Sequence, residues 1–425
     1  MFAVNSGLIT ESQRIDLKRS FPEIPRNKYL THGFDSYPAK MIPHMARYLI
    51  NGVSNTGQII LDPFCGSGAV LIESLLSGRN AMGVDLNPLA ILFAKAKTTI
   101  YDPHLLEIQL EELLDQFIKC RYAYQYNFPN ASYWFTPATL RKLGVIKTVL
   151  DRHLPNIEPD YAFFWLAVMA TIVRECSRAD TRGPKPFISK KAREERLEID
   201  FDPFKKFESK ARSWIEVEHE YSGKLNRNGI KPRIEVIEGD SRNLSKILNG
   251  KKVDAVVTSP PYLNAQDYYR SCKLQLFILG HASPAELREW SRDLIGSDRI
   301  FNEQALLAKE LPCPLAEMIK SELAERNKKN AQVFAKYILD MSKVLQEINS
   351  VLKDNSYCAI VSGYNLISGI TIPTPEVINQ LASKEGFQLT RCCRDRIRDR
   401  WVPTIRNGHN AVITEEYLLV FKKSV

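Results

Sequence analysis

The fold is indicated by residues 58–100, which read QIILDPFCGSGAVLIESLLSGRNAMGVDLNPLAILFAKAKTTI. QIILDPF predicts a short buried strand, and CGSGAVLIESLLSG predicts a turn that opens a helix. NAMGVDL predicts a second strand, and NPLAILFAKAKTTI a second helix. Strand, helix, strand and helix of these lengths are typical of the βαβ unit of a parallel sheet.

The alternation breaks after residue 100. HLLEIQLEELLDQFI and ATLRKLGVIKTVLDRHL carry apolar residues at helical spacing, and TRGPKPFISKKAREER predicts an exposed loop. Strand patterns return at PRIEVIEGDS, at KKVDAVVTSPPY and near the C-terminus. We therefore expect an α/β fold, a mixed and mostly parallel sheet with helices on both faces, and a largely helical inserted lobe. Residues 1–100 would hold the N-terminal segment and the first half of the core, residues 101–230 the helical insert, and residues 231–425 the second half with a smaller insert at about 263–335.

Composition limits the class of protein. The chain has 425 residues, with 58 Lys and Arg against 49 Asp and Glu, and 44% are hydrophobic. These values are ordinary for a globular protein and exclude a disordered or fibrous one. The net charge of +9 favours an anionic partner such as nucleic acid.

Eight cysteines are scattered without a CxxC pair, so we expect reduced thiols and no metal site. The N-terminus lacks the apolar core of a signal peptide, and the apolar runs are too short to span a bilayer. A cytoplasmic protein is therefore expected.

The turn between the first strand and helix predicts a ligand site. A strand ends at Asp62, and Gly66 and Gly68 allow the backbone to approach a ligand closely. The next strand ends at Asp85, and an acid about 20 residues after such a turn suits the two hydroxyls of a ribose. The other interpretation is a tight strand–helix turn without a ligand.

The chemistry of the turn favours a nucleoside-type ligand over a dinucleotide. Ala69 and Ile72 follow the second glycine, so the turn does not fit GxGxxG. The Asp62 carboxylate would repel a pyrophosphate but could bind a cationic amino group. S-adenosylmethionine carries such an ammonium group next to its sulfonium.

A second motif follows an apolar strand at Ser259, Pro260, Pro261 and Tyr262. The two prolines stop the strand and stiffen the backbone, which makes the carbonyls of Ser259 and Pro260 rigid acceptors. With the aromatic face of Tyr262 they suit a flat, amino-bearing ring, such as a nucleobase removed from its stack. The alternative is a Pro-Pro turn that only ends a strand.

These motifs resemble a known family. DPFCGSG (62–68), GVDLNP (83–88) and TSPPY (258–262) are similar to those of the S-adenosylmethionine-dependent amino-methyltransferases of DNA. TSPPY resembles the version of the N4-cytosine subgroup, whereas the N6-adenine subgroup more often carries Asp or Asn in place of Ser259. HGFDSYPAKMIPHMARYLI (32–50) and IEGDSRNL (237–244) resemble further cofactor-binding segments.

The resemblance implies a Rossmann-like methyltransferase fold and two sets of site residues. The catalytic set that would bind the target base is Ser259, Pro260, Pro261 and Tyr262. The set that would bind S-adenosylmethionine is Tyr37, Lys40, Pro43, Asp62, Phe64, Gly66, Ser67, Gly68, Asp85, Leu86, Asn87, Asp240 and Ser241.

The helical insert at residues 101–230 is a candidate DNA-recognition lobe. Three basic segments are candidates for contact with DNA, at residues 174–196, 267–277 and 391–406. Their candidate residues are Arg178, Lys190, Lys191, Asp267, Tyr268, Arg270, Arg396 and Arg398. A solvated charged face, the first turn of an ordinary helix and surface Arg–Asp pairs are the respective alternatives.

Together these features predict a site-specific DNA methyltransferase. It would transfer a methyl group to the N4 amino group of cytosine in double-stranded DNA, by direct displacement after base flipping. The alternatives are N6-adenine methylation, methylation of an RNA amino group, and a nucleic-acid-binding protein with an inactive cofactor fold. The resemblance implies a prokaryotic cytoplasm, association with the nucleoid, and a cognate restriction endonuclease as a candidate partner.

Overall fold

The strands and helices lie in the part of the chain that the computed structural model describes. These residues are 9, 12–25, 27–35, 37–38, 40–181, 185–196, 199–227, 232–263, 268–298, 304–397, 405–406, 410–411 and 414–424. The strands are β1 (Gln13–Arg14), β2 (Ile59–Asp62), β3 (Asn80–Asp85), β4 (Ile234–Glu238), β5 (Val253–Thr258), β6 (Leu352–Ser362), β7 (Asn365–Ile367), β8 (Ile370–Ile372), β9 (Phe387–Arg396), β10 (Ile405–Arg406), β11 (Asn410–Ala411) and β12 (Glu415–Lys423).

The helices occur mainly between β3 and β4 and between β5 and β6. They are α1 (Leu17–Ser20), α2 (Pro43–Val53), α3 (Ala69–Leu76), α4 (Pro88–Thr98), α5 (Pro103–Lys119), α6 (Ala131–Trp134), α7 (Pro137–His153), α8 (Pro159–Glu175), α9 (Lys190–Arg196), α10 (Pro203–Arg227), α11 (Leu244–Ile247), α12 (Tyr268–Leu279), α13 (Pro284–Asp293), α14 (Gln304–Ala308), α15 (Pro314–Arg326), α16 (Lys328–Val351) and α17 (Thr374–Lys384). Within the described ranges, none of them has the length and apolar character needed to cross a membrane.

The described strands form an eight-stranded sheet in the order β1–β9–β12–β6–β5–β2–β3–β4. Neighbours from β6 to β4 are parallel, and β12 runs antiparallel to both β6 and β9. The predicted mixed, mostly parallel sheet is confirmed. After β2, the next strands β3 and β4 are added on one side of it. The chain then returns to form β5 on the other side of β2, and β6 is added beyond β5. The order therefore reverses between β2 and β5, where α/β sheets bind ligands beyond the strand ends.

Successive residues of the central strands face opposite sides of the sheet, as the strand period requires. Ile60 and Ala255, which are paired in register, belong to a core with α2 and α3. Their successors Leu61 and Val256 belong to a core on the other face with α16. The sheet is thus covered by helices on both sides, which explains its nearly continuous apolar strands.

A separate apolar core holds the helical lobe. It contains residues of α5, α7, α8 and α10, with Phe164 and Trp165 fully buried at its centre. Helix α12, which follows β5 in the chain, packs into the same core. The helices predicted at HLLEIQLEELLDQFI and ATLRKLGVIKTVLDRHL are confirmed as α5 and α7. The division of the chain into three parts stays a prediction.

The prediction of an exposed loop over TRGPKPFISKKAREER is wrong for its second half. Residues Lys190–Arg196 form helix α9. The Ser189 Oγ accepts a hydrogen bond from the Ala192 N–H at 2.9 Å, which caps the helix. Ala192 is buried, and the remaining residues of KKAREER are good helix formers. Local capping and propensity therefore outweigh the high charge of this segment.

Substitution of Gly144 tests how tightly the helical lobe is packed. A Cβ added at this position in α7 would lie 2.3 Å from the Tyr124 carbonyl oxygen. We expect Gly144→Ala to lower the free energy of unfolding by about 1–3 kcal/mol, although Ala is the better helix former by about 1 kcal/mol. Gly223→Ala in α10 is the control, because an added Cβ meets no atom within 4 Å. The control should gain about 0.5–1 kcal/mol. Urea denaturation of both variants would contradict the packing argument if they changed stability in the same direction.

Candidate functional site

A cavity opens at the carboxyl ends of β2, β3 and β5. Its volume is about 870 Å³ with open solvent included, within the size range of small-molecule sites. Most of the predicted site residues line it. They are Tyr37, Lys40, Asp62, Phe64, Gly66, Ser67, Asp85, Leu86, Asn87, Asp240, Ser241, Ser259, Pro261 and Tyr268. Residues up to 231 positions apart in the chain, from Tyr37 to Tyr268, therefore meet at one place.

Four predicted residues are not in the cavity lining. Pro43 is the buried first residue of α2. Gly68 has a φ of +88° and lies against α4, where a Cβ would come within 3.2 Å of the Ala94 Cα. Pro260 is buried, and Tyr262 points to the terminal strand, as described below. Gly68 thus allows close packing of turn and helix, and its contact with the cofactor stays a prediction.

Asp85 is fixed by backbone donors. Its Oδ2 accepts from the Gly66 N–H at 2.9 Å and its Oδ1 from the Asn87 N–H at 2.9 Å. The Asn87 side chain in turn donates to the Tyr37 hydroxyl at 2.9 Å. Burial raises the pKa of Asp85 to about 6. A carboxylate has about four lone-pair positions, so Asp85 keeps acceptor capacity for two ligand hydroxyls.

Asp62 is joined to the neighbouring strand by a hydrogen bond. The Thr258 hydroxyl, at the end of β5, donates to Asp62 Oδ1 at 2.6 Å, and the Phe64 N–H donates to the same oxygen at 3.1 Å. No residue in the described ranges bonds to Oδ2. The residue is only 3% exposed, and this burial raises the pKa of the carboxyl to about 7. A cationic ligand group would favour the ionised form.

A buried ion pair supports the floor of the cavity, and sequence reasoning missed it. Lys97 of α4 donates to Asp35 Oδ2 at 2.5 Å and to the Ser67 hydroxyl at 3.0 Å. Lys40 and the Tyr37 N–H bond to the other carboxylate oxygen, at 3.2 and 2.6 Å. Burial opposes the charged form of Asp35, but the two ammonium groups lower its pKa to about 2. The cluster ties the N-terminal segment to the glycine turn. The sequence feature that could have revealed this cluster is Lys97, which lies among the apolar residues of NPLAILFAKAKTTI.

His32 lies outside the cavity lining. Its Nε2 is 2.8 Å from Glu73 Oε1, and Tyr29 and Arg47 donate to the same fully buried carboxylate. These contacts give His32 a structural role, because they hold the N-terminal segment against the helix that follows the glycine turn.

The loop after β4 contains both an acid, Asp240, and a cation, Arg242, which form an ion pair. Arg242 Nη2 is 2.7 Å from Asp240 Oδ2, and Arg242 Nη1 is 2.9 Å from Asp340 Oδ1. Burial opposes the charged form of Asp240, but its hydrogen bond from Arg242 lowers the pKa below its usual range. The cavity therefore holds Lys40 and Arg242 besides its acids. The lining residues that sequence reasoning missed are Pro38, Met41, Cys65, Ala69, Gly239, Arg242, Asp293, Leu294 and Ile295. Asp293, Leu294 and Ile295 come from a stretch that carries no motif.

The Pro-Pro segment forms another part of the wall. Ser259 and Pro261 line the cavity. The Tyr262 hydroxyl donates to Glu416 Oε1 of β12 at 2.7 Å, which directs the ring toward the terminal strand. Tyr268, the first residue of α12, lines the cavity, and burial raises the pKa of its hydroxyl to about 12. A base-binding role for Tyr262 and Tyr268 stays a prediction.

The predicted DNA-contacting cations lie outside the cavity lining. Arg270 is exposed in the first turn of α12, and Arg396 is exposed at the end of β9, opposite Glu415. Lys190 and Lys191 are exposed on α9, and Lys191 pairs with Glu195 at 3.4 Å. Arg178 donates to the Ser132 carbonyl at 2.7 Å. Asp267 and Arg398 lie outside the described residues.

The sheet order, the glycine turn after β2 and the acid that ends β3 are typical of Rossmann-like, S-adenosylmethionine-dependent methyltransferases. Comparison with known proteins narrows the class. Residues 6–95 match the family model described as DNA methylase, N6_N4_Mtase. The chain is 26% identical to the type II methyltransferase M.MvaI of Kocuria varians, over 94% of this chain and 92% of that protein. It is 23% identical to the type II methyltransferase M.BsoBI of Geobacillus stearothermophilus, over 64% of this chain and 57% of that protein.

A solved structure, the rRNA methyltransferase aviRa from Streptomyces viridochromogenes, overlaps 91% of this chain and 88% of its own. The identity is 12% and the TM-score 0.31, too low to carry a structural argument. The family model and the two type II relatives support an S-adenosylmethionine-dependent DNA amino-methyltransferase, the class that the sequence motifs resemble.

Asp62 predicts a pH dependence of cofactor binding. Its pKa in the folded chain is about 7 against an ordinary 3.8, so the folded chain holds a proton there that the unfolded chain has lost between about pH 4 and about pH 7. The contribution of this carboxyl to stability falls as pH rises through that window. If the ionised form binds the cofactor ammonium, affinity for S-adenosylmethionine rises with pH up to about 7, by up to about tenfold per pH unit.

Titration calorimetry of wild type and two variants between about pH 5.5 and about pH 8 tests this dependence. Asp62→Asn should bind more weakly and lose the Asp62 part of the slope. Thr258→Val removes a hydrogen bond that lowers the pKa of Asp62, so the midpoint should move to higher pH. An unchanged slope in Asp62→Asn would show that another group carries the dependence.

Proposed function

We propose that this methyltransferase acts on the N4 amino group of cytosine in double-stranded DNA. The observation that carries the proposal is the position of Ser259, which lines the same cavity as Asp62 and Asp85. Ser259 directly follows β5, the neighbour of the cofactor strand β2 in the sheet. Ser in this place is typical of the N4-cytosine subgroup, whose TSPPY motif the chain resembles.

The donor and acceptor groups of the cavity fit S-adenosylmethionine. Asp85, held by two backbone N–H groups, would accept from the ribose hydroxyls. Asp62 would pair with the ammonium group, and the Lys40 ammonium with the carboxylate of the same amino-acid end. Asp240 with its partner Arg242 would lie by the adenine. These assignments are proposals for the residues that the cavity brings together.

The Pro-Pro segment would orient the target amine. S-adenosylmethionine supplies a methyl group on a sulfonium, which leaves as a neutral thioether. The carbonyls of Ser259 and Pro260 would accept the two amino protons of a flipped cytosine and direct the nitrogen lone pair at the methyl carbon. The new N–C bond forms as the C–S bond breaks. One proton then leaves the methylated amine for solvent, so a strong base is not required.

Two alternative functions would use the same cavity but methylate a different base or nucleic acid. N6-adenine methylation would use the same acceptors on a larger ring, and RNA amino-methylation would use an unstacked base of an RNA. Ser259 favours cytosine through the family resemblance, and the relatives M.MvaI and M.BsoBI are named as type II methyltransferases. A cognate restriction endonuclease and a cytoplasmic, nucleoid-associated location belong to the same proposal.

Product analysis tests the target base. We expect incubation of unmethylated genomic DNA with the protein and labelled S-adenosylmethionine to give labelled N4-methylcytosine after digestion to nucleosides. Sequencing that detects modified bases would give the recognition sequence in the same experiment. Bulk tRNA and rRNA serve as the control substrates. N6-methyladenine as the only labelled nucleoside, or label in RNA alone, would contradict the proposal.

Ser259→Ala tests the catalytic segment. The variant keeps the backbone carbonyl and the cofactor groups, so it should bind S-adenosylmethionine with an unchanged Kd and show the same ligand-induced rise in Tm. Methyl transfer should fall by roughly ten- to a hundredfold, because the Ser259 hydroxyl, which lines the cavity beside the two carbonyls, would no longer supply a third hydrogen bond to the base. Turnover near that of wild type would show that the hydroxyl is dispensable.

A further inference from the structure

An aromatic–basic surface lies beside the cavity, formed by Tyr133, Trp134, Arg178 and Lys273. The Lys273 ammonium lies 4.5 Å from the centre of the Trp134 ring. The Arg178 N–H donates to the Trp134 carbonyl at 2.8 Å, and its guanidinium donates to the Ser132 carbonyl at 2.7 Å. Three segments of the helical lobe are thereby held together at one place.

Tyr133 presents an aromatic ring to solvent on a fixed support. Its side chain is 47% exposed, whereas the neighbouring Trp134 is only 8% exposed. The two rings meet edge to face, with centroids 4.8 Å apart at 88°, an arrangement that aromatic pairs prefer. The ordered ring would lose little conformational freedom if it stacked on a ligand.

The charge around this ring suits phosphate. Among the described residues, no carboxylate lies within ion-pair distance of Arg178 or Lys273. Arg270 lies close enough to Lys273 for its positive charge, together with burial, to lower the pKa of the Lys273 ammonium. A surface that offers cations and an aromatic face together matches nucleic acid, which offers phosphates and bases together.

Helix α12 places this surface next to the mouth of the cavity. Its first residue, Tyr268, lines the cavity, and Lys273 follows five residues later, about 8 Å along the axis and about 140° around it. The surface therefore lies around the side of the helix from the cavity, within reach of one duplex. This separation corresponds to two or three nucleotide steps of a duplex at about 3.4 Å each.

We infer that this surface binds the DNA strand beside the flipped target, with Tyr133 stacked on a neighbouring base and Arg178 and Lys273 on the adjacent phosphates. The inference rests on the proposed function and adds to it a place for the duplex on the helical lobe. A base next to a flipped nucleotide loses one stacking partner, and the Tyr133 ring would replace it.

Tyr133→Ala and Lys273→Gln test the two parts of the surface. Tyr133→Ala should raise the KM for unmethylated genomic DNA by roughly five- to a hundredfold, the range for loss of one base–aromatic stack. Lys273→Gln should weaken binding of a fluorescein-labelled duplex of about three helical turns and reduce the slope of log K against log salt by about one. The Kd for S-adenosylmethionine, which does not touch the surface, should be unchanged in both.

Tyr122→Ala is the matched control. Tyr122 is 71% exposed and precedes Phe128, whose ring lies 5.2 Å from that of Phe277. Phe277 is near the far end of α12, about one turn beyond Lys273. The Tyr122 ring itself lies 5.7 Å from the guanidinium of Arg152 at the end of α7. Tyr122 is thus on the same lobe but outside the cavity lining, and its removal should leave the KM for DNA unchanged.

The outcomes separate this inference from the proposed function. If wild type methylates no DNA, the proposed function fails. If wild type methylates DNA and Tyr133→Ala keeps the wild-type KM, the duplex lies elsewhere and the inference is overturned. Equal losses in Tyr133→Ala and Tyr122→Ala, or a weaker cofactor Kd in Tyr133→Ala, would also overturn it, because the effect would then be a general one on the lobe.

Discussion

The hydrogen bond from Thr258 to Asp62 joins the two halves of the site. These residues end β5 and β2, the adjacent strands between which the sheet order reverses. The bond sets the cofactor acid and the Pro-Pro segment at a fixed separation, because both sit on parallel strands paired in register through Leu61 and Val256. Methyl transfer by direct displacement depends on such a separation, since the amine and the methyl carbon must approach in line.

The glycine turn depends on a second buried polar contact. Lys97 and Asp35 are both fully buried, and their ion pair extends to the Ser67 hydroxyl within the turn. Loss of one member of such a pair leaves an uncompensated charge in the interior, at a cost of several kcal/mol. The N-terminal segment therefore supports the cavity, to whose lining it contributes Tyr37, Pro38, Lys40 and Met41.

Sequence reasoning succeeded where local signals sufficed. Short apolar runs that end in Asp62 and Asp85 identified β2 and β3, and the prolines identified the end of β5. It missed Asp35, Lys97 and Arg242, because their partners lie far away in the chain or depend on how the chain folds back. It also predicted a loop where Ser189 caps α9, since the charge of KKAREER masked its helix propensity. Gly68 was assigned to the ligand, and its left-handed conformation also serves contact with Ala94.

The charged side chains are distributed differently on the sheet and on the helical lobe. The cofactor end of the sheet combines Asp62, Asp85 and Asp240 with only Lys40 and Arg242 among the cavity residues, so it suits a ligand with both signs of charge. Arg178 and Lys273, which have no ion-pair partner among the described residues, lie on the lobe, and Lys273 is beyond the first turn of α12. A positive surface there can attract a polyanion over about a Debye length without filling the cofactor cavity with phosphate. Helix α12 touches both environments, and it is thus the element through which a bound duplex and a bound cofactor would be brought into register.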